Sequence, residues 1–86
     1  MRDRNEVLFT FMEECGEAIQ AASKLGRFGP DNFHPDDPKH VTNREKLKQE
    51  IGDVLAMIEV LQKDTDLGIT NQSLMEAKQR AVAGFV

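Results

Sequence analysis

Apolar side chains at positions 7, 8, 11, 12, 15, 18, 19, 22 and 25 return every three or four residues, with no proline among them. That spacing predicts an amphipathic helix from about residue 4 to 25. The segment LGRFGPDNFHPDDPKH ends it, because Gly26, Gly29, Pro30, Pro35 and Pro38 make a continuous helix untenable. A loop over about 26–41 results. Connections longer than about 12 to 15 residues are uncommon and tend to carry function, which makes this one a candidate lid or substrate wall. The tetrapeptide TNRE then reads as a capping box, with Thr42 accepting from first-turn amides and Glu45 reaching back. A second helix, about 42–64, carries the stripe Leu47, Ile51, Val54, Leu55, Ile58 and Leu61 until KDTDLG breaks it. Ser73 and Glu76 at capping-box spacing open a third helix, about 71–84, through Leu74, Met75, Ala81, Val82 and Phe85. The β-branched residues never alternate, so no strand is predicted.

The fold class is therefore all-α: a helical hairpin plus a third helix, in one domain spanning 1–86. At 86 residues such a chain buries only roughly 60 to 65% of the surface its unfolded form exposes. A four-helix-type bundle completed by oligomerisation, as a homodimer or homotetramer, is the expected remedy. No apolar run approaches the roughly 20 residues that cross a bilayer, and the start MRDRNEVLF lacks the apolar core of a secretory signal. The expectation is a cytoplasmic protein without a membrane partner. Cys15, the single cysteine, lies among Phe11, Met12 and Ile19 and reads as a small buried hydrophobe. The formal net charge of −4 has the wrong sign for coating a nucleic acid polymer. An anionic ligand would need a metal or locally placed Lys and Arg.

The acidic residues supply the candidate chemistry. On a helical wheel Glu14 and Glu17 fall at about 320° and 260°, beside an apolar stripe centred near 40°. Glu50 and Asp53 fall at the same two angles on the second helix, because both spacings, 14 to 50 and 17 to 53, are 36 residues, about ten turns. Each helix thus carries an acidic i, i+3 pair on one shoulder of its stripe, and a hairpin lets four carboxylates converge. Without a cation that convergence opposes folding. Hard divalent ions relieve it, and Mg²⁺ suits an all-oxygen site that also binds phosphates. A di-iron or di-manganese bundle would want Glu-x-x-His pairs, whereas His34 and His40 both lie in the loop. The plainer reading of the same acids is a set of solvated helix faces.

EECGE at 13–17 followed by EIGD at 50–53, with the flanking AIQAASK and LAMI, resembles the EExxE...ExxD signature of the MazG-like, all-α nucleoside triphosphate pyrophosphohydrolases. The resemblance covers about residues 5–80. It implies Mg²⁺-dependent cleavage of an NTP or dNTP between the α and β phosphates, giving a nucleoside monophosphate and pyrophosphate, with Mn²⁺ as a possible substitute cofactor. It also implies Glu14, Glu17, Glu50 and Asp53 as metal ligands and catalytic residues, Glu13 supporting them from behind, and dimers or tetramers. Many relatives carry an Asn two turns beyond ExxD, where this chain has Glu59 and Val60.

Positive side chains should complete an anion site. Lys78 falls inside the apolar stripe of the third helix, where it either meets phosphate or lays its stem on the core with its amine in water. Lys24 and Arg27 are further substrate-binding candidates, although cations at a helix end also simply favour its dipole. Phe28, Phe33 and His34 are placed to stack on a base or to anchor the loop. A carboxylate not used up as a ligand, Glu17 foremost, is the candidate to orient or deprotonate water. Two alternatives stand beside the pyrophosphohydrolase: a catalytically degenerate helical interaction module, and a phosphoribosyl-ATP pyrophosphatase-like hydrolase.

Overall fold

In a computed structural model, which describes residues 3–85, the chain forms three helices in the order α1 (Arg4–Phe28), α2 (Asn43–Asp64) and α3 (Asn71–Phe85). The described residues contain no strand; a single isolated bridge joins Phe33 to Thr42 inside the loop. The side chain of Phe85, part of the expected α3 stripe, lies outside the described residues.

Local chemistry sets each boundary. Asp3 caps α1 by accepting the Asn5 amide at 2.9 Å. The helix passes through Gly26, where the sequence had suggested a stop, and ends three residues later. A helical glycine costs only about 1 kcal/mol against alanine, whereas Gly29 at φ 88° followed by Pro30 cannot continue the helix. The Gly29 amide closes the end on the Leu25 carbonyl at 2.9 Å. Thr42 caps α2, accepting the Glu45 amide at 3.2 Å. Glu45 itself turns to Lys48, 3.7 Å away, so only half of the expected capping box forms. At α3 the reciprocal pair is Thr70 with Ser73 in place of Ser73 with Glu76. The Ser73 amide donates to Thr70 Oγ1 at 3.0 Å and the Thr70 amide to Ser73 Oγ at 2.9 Å.

α1 and α2 pack along their length as a hairpin, and α3 packs on neither. A hydrogen bond from Gln62 Nε2 to Asn71 Oδ1, 2.9 Å, ties the root of α3 to α2. Among the described residues the buried core is thin: Val7, Ala21 and Leu61, with one charged residue, Glu50. Cys15 is half-buried, not enclosed. The radius of gyration is 15.7 Å, against about 12 Å for a compact chain of this length, and the slab is only 14 Å thick. Phe9, Met12 and Ile19 on α1, Ile51 and Leu55 on α2, and Leu74, Met75 and Val82 on α3 are left in water. No helix among the described residues is long and apolar enough to cross a membrane.

Candidate metal centre and adjoining cavities

The hairpin brings three of the four acids together. Glu14, Glu50 and Asp53 each offer a carboxylate oxygen, and these oxygens all lie within 4.8 Å of one another. Asp53 is exposed, Glu14 half-buried and Glu50 only 4% exposed. Oε2 of Glu14 and Oε2 of Glu50 are buried with no hydrogen-bond partner. An orphaned carboxylate oxygen costs about 1 to 3 kcal/mol or more, and an all-carboxylate donor set of this kind fits a hard cation.

The electrostatics follow from the crowding. Burial, then the charges of Asp53, Glu50 and Glu13, push the Glu14 carboxyl above the ordinary carboxylate range. Glu17 is exposed and stands outside the three-oxygen cluster, but the Glu14 charge and then a hydrogen bond with Glu50 raise its carboxyl as well. Glu13 is exposed and acts on the cluster through its charge.

One residue of this site escaped the sequence reading. Lys46 Nζ lies 3.1 Å from Glu50 Oε1 and supplies the positive charge closest to the buried acid. Its i, i+4 spacing to Glu50 was the available signal. Lys46 and Lys24 line a cavity of about 280 Å³ together with Glu17, Gln20 and Glu50. Lys24 therefore shares a cavity with Glu17 and Glu50. Arg27 does not line it; its guanidinium sits 5.2 Å above the Phe28 ring. Lys78 is exposed on α3, away from both acidic helices, and lines a shallow hollow with Met75 and Val82.

The long loop forms a wall held by its own hydrogen bonds. Asp37 accepts the amides of Lys39 and Val41, both at 2.9 Å, and these bonds hold its carboxyl below the ordinary range. His40, at φ 53°, stacks on Phe33 with ring centres 4.2 Å apart. The Asn43 amide nitrogen of the backbone donates to Asn32 and that of Arg44 to Pro30, each at 2.8 Å. Behind this wall a second cavity of about 520 Å³ is lined by Lys24, Phe28, Asn32, Phe33, His34 and Asn43.

No family model, curated protein or solved structure matches this chain.

Proposed function

We propose that the chain is a Mg²⁺-dependent nucleoside triphosphate pyrophosphohydrolase of the MazG-like kind, releasing a nucleoside monophosphate and pyrophosphate. The observation that supports the reading is the cluster of carboxylate oxygens from Glu14, Glu50 and Asp53, within 4.8 Å of one another, in which Glu14 and Glu50 each keep a buried oxygen without a hydrogen-bond partner. Buried polar atoms are as a rule paired, and a bound ion is one explanation for those that are not.

Glu14, Glu50 and Asp53 would hold the cation, which neutralises phosphate charge and lowers the pKa of a bound water. Glu17 lies beside them with a raised carboxyl pKa, closer to neutral pH than an ordinary carboxylate, which suits a general base. It takes the proton of the attacking water. The water oxygen bonds to the α-phosphorus as the α–β bridging P–O bond breaks, and the electron pair leaves on pyrophosphate. Lys24 and Lys46, lining the cavity next to the acids, bind the phosphate oxygens.

A second copy of the chain belongs to the same reading. The thin core and the exposed Phe9, Met12, Ile19, Ile51 and Leu55 support a bundle closed by another hairpin. Incubating the protein with a panel of NTPs and dNTPs plus Mg²⁺ tests the activity. Monophosphate and pyrophosphate should form, and chelator should abolish them. Orthophosphate as the first product would rule the assignment out.

A further inference from the structure

α1 carries a second seam besides the one it turns toward α2. Phe9, Met12, Gly16, Ile19, Ser23 and Gly26 recur at alternating steps of three and four residues, the spacing of a coiled-coil seam. All six are exposed, and α3 packs on neither helix of the hairpin, so no described element covers this face. A Cβ added at Gly16 or Gly26 would meet no atom within 4 Å, and neither glycine has a positive φ. Glycine inside a helix is unfavourable against alanine. Nothing within the chain asks for it at either position.

The order of sizes along the seam points to what lies against it. Large apolar side chains stand at 9, 12 and 19, and small ones at 16, 23 and 26. A second α1 laid antiparallel about a twofold axis at the middle of the seam sets Phe9 against the partner's Gly26, Met12 against the partner's Ser23 and Ile19 against the partner's Gly16. Every layer then joins a large side chain to a small one, which fills space without overlap. A parallel pair would instead set Phe9 on Phe9 and Gly16 on Gly16, crowding one layer and emptying another. A foreign helix would need no such inverse order within α1 itself.

The rim repeats the match in charge. Glu6, Glu13, Gln20 and Arg27 border the seam on one side, all exposed. In the same antiparallel register Glu6 meets the partner's Arg27, twice by symmetry, and Glu13 meets the partner's Gln20. On the other side Leu8, Cys15 and Ala22 extend the apolar surface. Glu14 lies about 170° around the helix from the centre of the seam, so this pairing leaves the carboxylate cluster open.

We infer that two copies of the chain associate through an antiparallel α1–α1 seam, in which Phe9, Met12 and Ile19 of each copy pack against Gly26, Ser23 and Gly16 of the other. The inference names the surface that the second copy proposed above would use, and it stands apart from the catalytic assignment. In a Cys15→Ser background, Met12→Cys and Ser23→Cys proteins are oxidised separately and, after subunit exchange, as a mixture. The mixture should give a disulfide-linked dimer and the separate proteins little, because like positions lie roughly 16 Å apart along the helix axis, beyond the reach of a disulfide. Gly16→Leu adds a side chain where the chain itself has room, so it should fold, yet it meets the partner's Ile19. Its dimer dissociation constant by sedimentation should rise about tenfold or more. Met12→Cys alone linking as fast as the mixture overturns the antiparallel register. A dimer that forms no 12–23 link, or that Gly16→Leu leaves unchanged, uses another face and overturns the inference. A wild-type mass of 9.7 kDa at all concentrations overturns it together with the second copy. Absence of pyrophosphate release from a protein that passes these tests touches the catalytic assignment alone.

Discussion

Lys46 Nζ lies 3.1 Å from Oε1 of Glu50, one helical turn away, and neutralises one oxygen of the most buried acid among the described residues. The other oxygen has no partner. Glu50 is thus held half as a structural ion pair and half as an open ligand. Lys46→Met keeps the stem and leaves a buried carboxylate uncompensated. In chelator that variant should lose roughly 1 to 2 kcal/mol of stability, and Mg²⁺ should restore much of the loss. Denaturant melts with and without Mg²⁺ measure both effects; an unchanged chelator midpoint would show that the pair carries no weight.

Glu14 has no such counter-charge, and its neighbours are acids. Glu14→Gln should leave the protein in chelator as stable as wild type or more so, since it removes a charge that the site opposes. The wild type should gain about 2.7 kcal/mol from Mg²⁺ at roughly 100 times its dissociation constant. The variant should lose most of that gain and its turnover. A destabilised variant with a full Mg²⁺ shift would mark Glu14 as a structural acid.

The pH dependence carries a definite sign. Glu14 and Glu17 have folded-state pKa values raised above their unfolded ones, so between the two the native state holds more protons. In chelator their contribution is fully present below the ordinary carboxylate pKa and is lost as pH rises through the raised values. Asp37 runs the other way: its lowered carboxyl stabilises the loop above the ordinary pKa and ceases to do so as pH falls through the folded value. Hydrogen exchange resolves the two regions. The Lys39 and Val41 amides should lose protection on acidification and in Asp37→Ala, whereas the global melting point in chelator should decline from mildly acidic to neutral pH. A chelator melting point that climbs steadily over that range would contradict the crowding of the acids.

Ile19 is 70% exposed on the open face of the hairpin. On a lone chain Ile19→Glu would change stability by no more than about 0.5 kcal/mol. With a second copy covering that face, it should dissociate the assembly and lower the melting temperature with it. Sedimentation of wild type and variant at matched concentrations distinguishes these. A wild-type mass of 9.7 kDa at all concentrations would remove the second copy from the reading.

Helix identity was legible because it rests on local terms: the three-to-four-residue return of apolar side chains, Thr42 ahead of α2, and the Gly29-Pro30 stop. Of the four acids whose 36-residue offset puts them at two matching angles on the helices, Glu14, Glu50 and Asp53 do come together, whereas Glu17 stays outside their cluster. What stayed hidden depends on contacts between distant positions. Lys46 looked like any surface lysine until the hairpin buried its partner, Glu50. The amides of Asn32 and Asn43 acquire their direction from carbonyls that only the folded loop supplies. The place of α3 turns on a short 65–70 connection and on side-chain contacts such as that of Gln62 with Asn71, and apolar periodicity says nothing of which surface such a helix meets.

The backbone hydrogen bonds of residues 29–42 begin and end between Leu25 and Lys46, and the side-chain ties from Asp37, Asn32 and Asn43 stay within the same span. The loop is stitched to itself and to the two helix ends it joins, not to the carboxylate face. It is thus a self-contained cassette: exchanges within it should leave undisturbed the helix pair that sets the acids in place.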